Sequence, residues 1–260
     1  MNTDFNFIIQ GPYHENHLQM IDELKKYGKV ILSTEKKHID QLYKNIKHYD
    51  KICLFEEFDI TNIYNFQNMF KHAYSILQGL KISDTKYCIS MRTQHSYSNI
   101  NYILDIVKNN ELDKYVCDNT TINPCMPFHL SDSIFAGKRE TLTGVCETLI
   151  NSILSKDFIY EGIDIRIRAE VAFFTSYLKY KKIFIEKDRD IFFWDSCLNN
   201  EQYIFPGCRD YVKFISNNAQ LIDVKKLQPC VLKHNNTSVN LDETCDKTDD
   251  ITWSFWSWSK

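Results

Sequence analysis

The sequence has few glycines, and none of them forms a glycine-rich phosphate loop. Seven glycines occur in 260 residues, and neither GxGxxG nor GxxxxGK[ST] is present. These two motifs bring the backbone close to the phosphates of dinucleotides and nucleoside triphosphates. A dinucleotide-binding or P-loop site is therefore not supported, and a nucleotidyltransferase is disfavoured for the same reason.

Long apolar runs and concentrated positive charge are also missing. No stretch approaches the ~18 apolar residues that a membrane-spanning helix needs, and the N-terminus lacks the basic and then apolar pattern of a signal peptide. The formal net charge is −3, and the basic residues are spread along the chain. We therefore expect neither a nucleic-acid partner nor recruitment to a membrane surface by positive charge.

Paired cysteine motifs are missing although cysteine itself is frequent. The nine cysteines are scattered, odd in number and without CxxC spacing. This pattern favours reduced thiols in a cytoplasmic protein over a disulfide framework, and it suggests no zinc site. We therefore expect the sequons at Asn119, Asn235 and Asn236 to remain unglycosylated.

Short apolar segments and amphipathic helical segments alternate along the chain, which predicts an α/β fold with a mostly parallel, Rossmann-type sheet flanked by helices. In the second half we expect an extended segment over 128–137 and a late strand at 183–185. The strands are expected at about 5–10, 30–32, 52–55, 87–91 and 115–117, and the helices at about 17–27, 63–80, 100–107, 138–154 and 168–180.

The length suits one large domain with a C-terminal appendage. We expect a nucleotide-binding and catalytic domain over 1–195, and an irregular extension over 196–260 that packs on it. The extension holds an acidic segment, 242–250, and a tryptophan-rich tail, 252–258. The tail has two open interpretations: a core element, or an exposed patch for a partner, a membrane interface or a glycan.

Polar clusters follow three of the expected strands. They are Gln10-Gly11-Pro12, Ser33-Thr34-Glu35 and Arg92-Thr93-Gln94. In open parallel sheets ligands bind outside the carboxyl ends of the strands. The sequence therefore predicts a binding site at this edge of the sheet.

Four local patterns, in their order and spacing, resemble the WavE family of glycosyltransferases of lipopolysaccharide core synthesis. They are Ile8-Ile9-Gln10-Gly11-Pro12; Leu32-Ser33-Thr34; Asn65-Phe66-Gln67 with the following Gly79-Leu80 and the segment 87–93; and Pro127-Phe128-His129-Leu130-Ser131-Asp132 with Gly137. The likeness spans residues 5–175. It implies a GT-A-like fold, a nucleotide-sugar donor and a glycan acceptor.

The sequence departs from that family after the fourth strand. An acidic residue would be expected where Gln94 stands, and GT-A enzymes commonly hold Mn²⁺ or Mg²⁺ on such a carboxylate. A glutamine carbonyl is a much poorer ligand. Either Arg92 stabilises the leaving diphosphate without metal, or another acid such as Asp132 supplies the ligand. No set of metal ligands is identified in the sequence.

Candidate roles follow from these positions, each with a structural alternative. Tyr13 could lie against the base and Glu35 could hold ribose hydroxyls. A tight turn is the alternative for Gln10 to Tyr13, and a helix N-cap is the alternative for Ser33 or Thr34. Arg92 suits a diphosphate, with a structural salt bridge as its alternative. The substrate-binding candidates are Gln10, Gly11, Pro12, Tyr13, Thr34, Glu35, Asn65, Gln67, Arg92, Gln94, Ser131 and Asp132, and the catalytic candidates are Arg92, Asp132 and Glu170.

Inverting sugar transfer needs a carboxylate that takes the proton of the acceptor hydroxyl. We prefer Glu170 as this base, with Asp132 as a ligand of donor or acceptor; structural roles as an Arg–Glu pair and a turn aspartate are the alternatives. The expected function is a glycosyltransferase. A non-catalytic nucleotide-sugar or glycan-binding module of the same fold is the second hypothesis.

Overall fold

The computed structural model describes residues 4–58, 66–119, 130–155, 159–160, 163–164, 169–183 and 214–227. The strands in these ranges are β1 (Phe5–Gln10), β2 (Gly28–Glu35), β3 (Lys51–Phe55), β4 (Tyr87–Arg92), β5 (Tyr115–Asp118), β6 (Ile134–Lys138), β7 (Ile159–Tyr160), β8 (Ile163–Asp164) and β9 (Ala219–Ile222). The α-helices are α1 (Leu18–Leu24), α2 (Ile39–Leu42), α3 (Gln67–Ile82), α4 (Ile100–Lys108), α5 (Arg139–Leu154) and α6 (Ala169–Tyr180).

Seven of the strands form one sheet in the order β3-β2-β1-β4-β6-β5-β9. β1 lies inside the sheet and pairs in parallel with β2 and β4, and β2 pairs in parallel with β3. β6 runs antiparallel to both β4 and β5, and β5 pairs in parallel with β9. β7 and β8 form a separate antiparallel pair.

Helices cover both faces of this sheet. α3, α5 and α6 contribute to one apolar cluster, and α1 and α4 contribute to the other. The strand β1 serves both clusters, since Phe7 and Ile9 belong to one and Ile8 to the other. A strand buried on both faces reads as a continuous apolar run, which is why its bounds are visible in the sequence.

Glycine permits a close approach between α3 and the sheet. A Cβ at Gly79 would lie 2.5 Å from Cγ2 of Ile8. The helix therefore rests directly on β1, and this contact sets the height of α3 above the sheet. The same helix carries His72, which contributes to the candidate site.

The predicted α/β fold class is confirmed: a mostly parallel, Rossmann-like sheet with helices on both faces. Of the expected extended segment 128–137, the described residues 130–137 form a strand from Ile134 onward. The antiparallel direction of this strand and the strand β9 were not predicted. The expected strand at 183–185, the acidic segment and the tryptophan-rich tail lie outside the described residues, apart from Ile183. Within the described residues, no helix is long and apolar enough to cross a bilayer.

The segment 214–227 bears on the predicted boundary at residue 195. Its strand β9 is hydrogen-bonded to β5, and Ile222 and Leu227 are fully buried. Val224 also donates its backbone N–H to the side-chain oxygen of Asn119, at 3.0 Å. At least this part of the expected extension therefore completes the central sheet. The division into 1–195 and 196–260 stays a prediction.

Candidate functional site

The carboxyl ends of three neighbouring strands bring the predicted polar clusters together. In the sheet register, Gln10 on β1 lies between Ser33 on β2 and Arg92 on β4. The start of the antiparallel β6 lies at the same edge, because Ile134 pairs with Met91. The segment that holds Asp132 therefore reaches the end of β4 from the opposite chain direction.

The turn after β1 is fixed by both neighbouring strands. Gly11 has a φ of +113°, a backbone conformation that favours glycine, and its N–H donates to the carbonyl of Ser33 at 3.3 Å. Thr34 donates to the carbonyl of Gly11 at 2.8 Å, and Thr93 donates its hydroxyl to the carbonyl of Pro12. These contacts explain a tight, ordered turn without a ligand, and they hold its backbone at the edge where a ligand would bind.

The serine and threonine at the end of β2 do not cap a helix. Ser33 donates to the carbonyl of Ser75 on α3 at 2.6 Å, and Ser75 donates back to the carbonyl of Ser33 at 2.9 Å. The hydroxyl of Thr34 bonds the turn after β1. The N-cap alternative for these two side chains therefore does not apply, since both connect elements of the site.

Tyr13 directly follows this turn and is held in place by two contacts. Its hydroxyl accepts a hydrogen bond from Asn45, and its ring stands edge-on to His17 with 5.9 Å between the centroids. His17 is buried between the carbonyl of Thr93 (3.0 Å from Nδ1) and the hydroxyl of Tyr49 (2.5 Å from Nε2). Burial lowers the pKa of His17 to about 4, so the imidazole is neutral at neutral pH.

A buried cluster of three side chains lies at the centre of the candidate site: Arg92, Asp132 and His72. Arg92 Nη2 donates to Asp132 Oδ2, and His72 Nδ1 lies 3.2 Å from the same oxygen and 3.3 Å from Arg92 Nη2. Asp132 is 4% exposed and His72 9%, whereas the side chain of Arg92 is 27% exposed. The arginine therefore presents the accessible charge of the cluster.

The charge state of the cluster follows from burial and pairing. Burial opposes ionisation of Asp132, yet the Arg92 charge and the hydrogen bonds from His72 and Arg92 bring the pKa of Asp132 well below its usual range. Burial and the nearby Arg92 charge lower the pKa of His72. At neutral pH the cluster thus consists of a cation, an anion and a neutral imidazole.

Two nitrogen atoms of this cluster lack a hydrogen-bond partner among the described residues. They are Arg92 Nε and His72 Nε2, and both are buried. Buried polar groups in native proteins are nearly always paired, so unpaired ones call for an explanation. His72 is a site residue that the sequence analysis missed; a histidine at a buried position of an otherwise apolar helix stripe was the available signal.

Glu35 lies in a network of ion pairs rather than open to a ligand. Its carboxylate is 2.6 Å from Lys37 Nζ and 3.4 Å from Lys71 Nζ, and its side chain is only 12% exposed. The two lysines also contact Glu57, at 2.9 and 3.0 Å. The predicted ribose-binding role of Glu35 is untested, and this network is a competing structural role.

Among the described residues, this edge offers no complete set of ligands for a divalent cation. In the residues that the structure describes, no group of three or more histidine, cysteine, aspartate or glutamate side chains is placed to hold a metal ion. The Oδ2 atom of Asp132 is already engaged by Arg92 and His72, and Gln94 occupies the turn position where the resemblance implies a carboxylate. No step below depends on a metal.

The remaining predicted site residues are only partly placed. Ser131 is fully buried, and its hydroxyl accepts the backbone N–H of Ser133 at 3.2 Å. Gln67 is the first residue of α3, while Asn65 lies outside the described residues. Glu170 lies in the first turn of α6, and its side chain is also outside the described part.

Comparisons with known proteins add little to this geometry. No family model matches the chain, and no curated protein matches its sequence. Among solved structures, the fold is similar to that of a 4-diphosphocytidyl-2C-methyl-D-erythritol synthase from Anaerococcus prevotii. That similarity has a TM-score of 0.41 and 13% sequence identity, and it covers 69% of this chain and 100% of the other. A likeness this distant does not bear on function.

Proposed function

We propose that the chain is a glycosyltransferase that binds a nucleoside-diphosphate sugar at the carboxyl edge of the sheet and transfers the sugar to a hydroxyl of a glycan. The observation that carries the proposal is the Arg92–Asp132–His72 cluster. It holds a partly exposed guanidinium at the end of a central parallel strand, where ligands of such sheets bind.

Arg92 is the residue proposed to contact the diphosphate. A planar guanidinium with several N–H donors matches phosphate oxygens, and its own position is fixed by Asp132. Preorganised donors stabilise charge that develops on a leaving group. The fixed turn at Gly11, with Tyr13 beside it, would hold the nucleoside end of the donor.

The transfer breaks one bond and forms one. The acceptor hydroxyl oxygen attacks the anomeric carbon, and the bond from that carbon to the diphosphate oxygen breaks with its electron pair leaving on the diphosphate. The hydroxyl proton passes to a base. Because the pKa of Asp132 is far below its usual range, its carboxylate is a weak base, which favours Glu170 for this role.

The position of α6 is compatible with that assignment. The ring of Phe173 lies 4.9 Å from the ring of His72, measured between centroids. Residue 170 precedes Phe173 by one helical turn, so the start of α6 approaches the cluster. Asp132 and His72 then serve to orient Arg92 rather than to move a proton.

Thermal unfolding with a panel of nucleoside diphosphates and nucleotide-sugars tests the donor site. A ligand that binds only the folded chain raises its melting temperature by mass action. We expect one nucleotide to raise the melting temperature, with or without EDTA. Arg92→Lys keeps the charge but loses the planar fork, and we expect it to weaken nucleotide affinity roughly tenfold or more.

The matched control is Arg139→Lys. Arg139 begins α5 at the other edge of the sheet and donates to the carbonyl of Ser83 at 2.6 Å, so its replacement should leave nucleotide affinity unchanged. No stabilisation by any nucleotide at millimolar concentration would refute the donor site. If a nucleotide-sugar binds but is never hydrolysed, the chain is a binding module and the transfer step is wrong.

A further inference from the structure

A helical segment at residues 36–48, between β2 and β3, connects the candidate site to an exposed surface. It consists of α2 flanked by two short 3₁₀ stretches, Lys36–His38 and Tyr43–His48. Leu42 is fully buried, and Asn45 donates to the hydroxyl of Tyr13 beside the candidate site. These two contacts fix the segment against the rest of the chain. The side chains on its outer side are therefore exposed although the segment itself is packed.

Three large apolar side chains form the outer side of this segment. Ile39 is 41% exposed, Tyr43 76% and Ile46 39%. Their spacing of four and three residues places them on one helical face. Leaving a row of such side chains in water is unfavourable, and grouped exposed apolar residues mark interaction surfaces.

Lysines flank this apolar row. The segment 36–48 contains four lysines and one aspartate. Lys36 and Lys37 are paired with Glu56 and Glu57, but Lys44 and Lys47, which alternate with the apolar residues, have no ion pair with any residue that the structure describes. Together with the exposed Asp40, Lys44 and Lys47 leave this surface with a small excess of positive charge.

We propose that residues 36–48 dock on an anionic lipid surface, with Tyr43 and its two neighbours inserted among the headgroups and Lys44 and Lys47 facing the lipid phosphates. An apolar face bordered by lysines is the pattern of helices that lie in a membrane interface. The unpaired lysines select this partner, because a purely apolar protein interface would have to bury their charges. The proposal does not depend on the proposed transferase activity.

Sedimentation of the full chain with vesicles tests this surface. We expect binding to vesicles of phosphatidylcholine and phosphatidylglycerol, little binding to phosphatidylcholine alone, and weaker binding at high salt. Lys44→Gln with Lys47→Gln should lower the partition coefficient roughly tenfold or more. Tyr43→Ser with Ile46→Ser should lower it to a similar extent, while circular dichroism shows an unchanged fold.

Each double variant has a matched control elsewhere on the surface. Lys81→Gln with Lys225→Gln removes the same charge, and Leu112→Ser with Leu154→Ser removes exposed apolar side chains that are 77% and 56% exposed. Both controls should bind vesicles as the native chain does. The proposal fails if the native chain does not bind anionic vesicles, or if the control variants lose binding to the same extent. It also fails if the Tyr43 variant instead abolishes a dimer seen by light scattering.

Discussion

A buried imidazole at His17 makes the stability of the chain depend on pH. The folded state keeps His17 neutral down to about pH 4, whereas an exposed histidine takes up a proton near pH 6.5. Between these values the unfolded chain binds more protons, so the contribution of this group to stability is lost as the pH falls. The hydrogen bond from the Tyr49 hydroxyl to Nε2 depends on the same neutral form.

His17→Gln should remove this dependence. Urea unfolding of both proteins at neutral pH and at about pH 4.5 should show their stability difference shrinking by about 2 kcal/mol at the lower pH. The variant itself is expected to be less stable at neutral pH, since His17 bonds both Thr93 and Tyr49. A stability difference that stays constant with pH would show that folding leaves the pKa of His17 unchanged.

The Arg92–Asp132 pair gives a second test at the residue scale. Asp132→Asn leaves the guanidinium without its counter-charge and should lower the free energy of unfolding by about 2–4 kcal/mol at neutral pH. The folded carboxyl has a depressed pKa, so its stabilisation is present above the unfolded pKa and is lost as the pH falls through the lower folded value.

The difference in the free energy of unfolding between the native and Asp132→Asn proteins should therefore become smaller in strong acid. Urea titrations at several pH values measure it. The double variant Asp132→Asn with Arg92→Met isolates the pair. Its loss should be smaller than the sum of the two single losses, because a buried charge is no longer left unpaired. Strict additivity would mean that the two side chains do not stabilise each other.

At the scale of elements, Gly79 determines how closely α3 packs on the sheet. Alanine is normally favoured over glycine in a helix by about 1 kcal/mol, but a methyl group at this position would collide with Ile8 in the central strand. Gly79→Ala should instead lower the free energy of unfolding by about 1–3 kcal/mol. It should also weaken nucleotide binding, since α3 carries His72.

Gly144 offers the contrast for that substitution. A Cβ there would meet the ring of Tyr180, a partly exposed side chain at the end of α6 that can turn away. Gly144→Ala should therefore be less damaging than Gly79→Ala in chemical unfolding, and it should leave nucleotide affinity unchanged. Equal losses for the two variants would contradict the assignment of a rigid contact to Ile8.

The helices and the early strands were predictable because the spacing of their apolar residues marks them directly in the sequence. β1 and β4 are buried on both faces and rich in apolar residues, and α3 carries apolar residues at helical spacing through Phe70, Ala73 and Ile76. The antiparallel direction of β6 was not predictable, since periodicity carries no information on direction. β9 has four residues, of which only Ala219 and Ile222 are buried, too short a pattern to recognise.

The edge of the site was predictable for a different reason. Polar residues directly after buried strands converge in any parallel sheet, and Gln10, Thr34 and Arg92 do so here. The partner His72 lies in the middle of a helix, and its role depends on how α3 crosses the sheet. The position of Asp132 beside Arg92 depends on the reversed direction of β6. Both placements depend on the tertiary structure; the only local hint was the histidine in the apolar stripe of α3.

At the scale of the whole molecule, β9 determines whether residues 214–227 belong to the main folding unit. Ile222 is fully buried in the cluster that also contains Val116 and Ile134. Ile222→Ala should lower the unfolding free energy of the whole sheet by about 2–4 kcal/mol. Circular dichroism and fluorescence should follow one shared transition, displaced to lower urea.

Leu221→Ala is the control for that substitution. Leu221 is the partly exposed neighbour of Ile222 on the same strand, and its replacement should be clearly less damaging. If Ile222→Ala produced a separate early transition and left the main one unchanged, the segment would fold as an independent appendage.

The early position of β1 in the chain, inside a sheet whose other strands follow much later, has a consequence for synthesis in the cell. β1 leaves the ribosome before every other strand of the sheet, but its neighbour β4 begins only at Tyr87 and β9 only at Ala219. At ordinary elongation speeds, apolar strand edges stay open on the nascent chain for on the order of ten seconds. Chaperones that hold the nascent chain should therefore raise the soluble yield, whereas C-terminal truncations within the sheet should aggregate as they emerge.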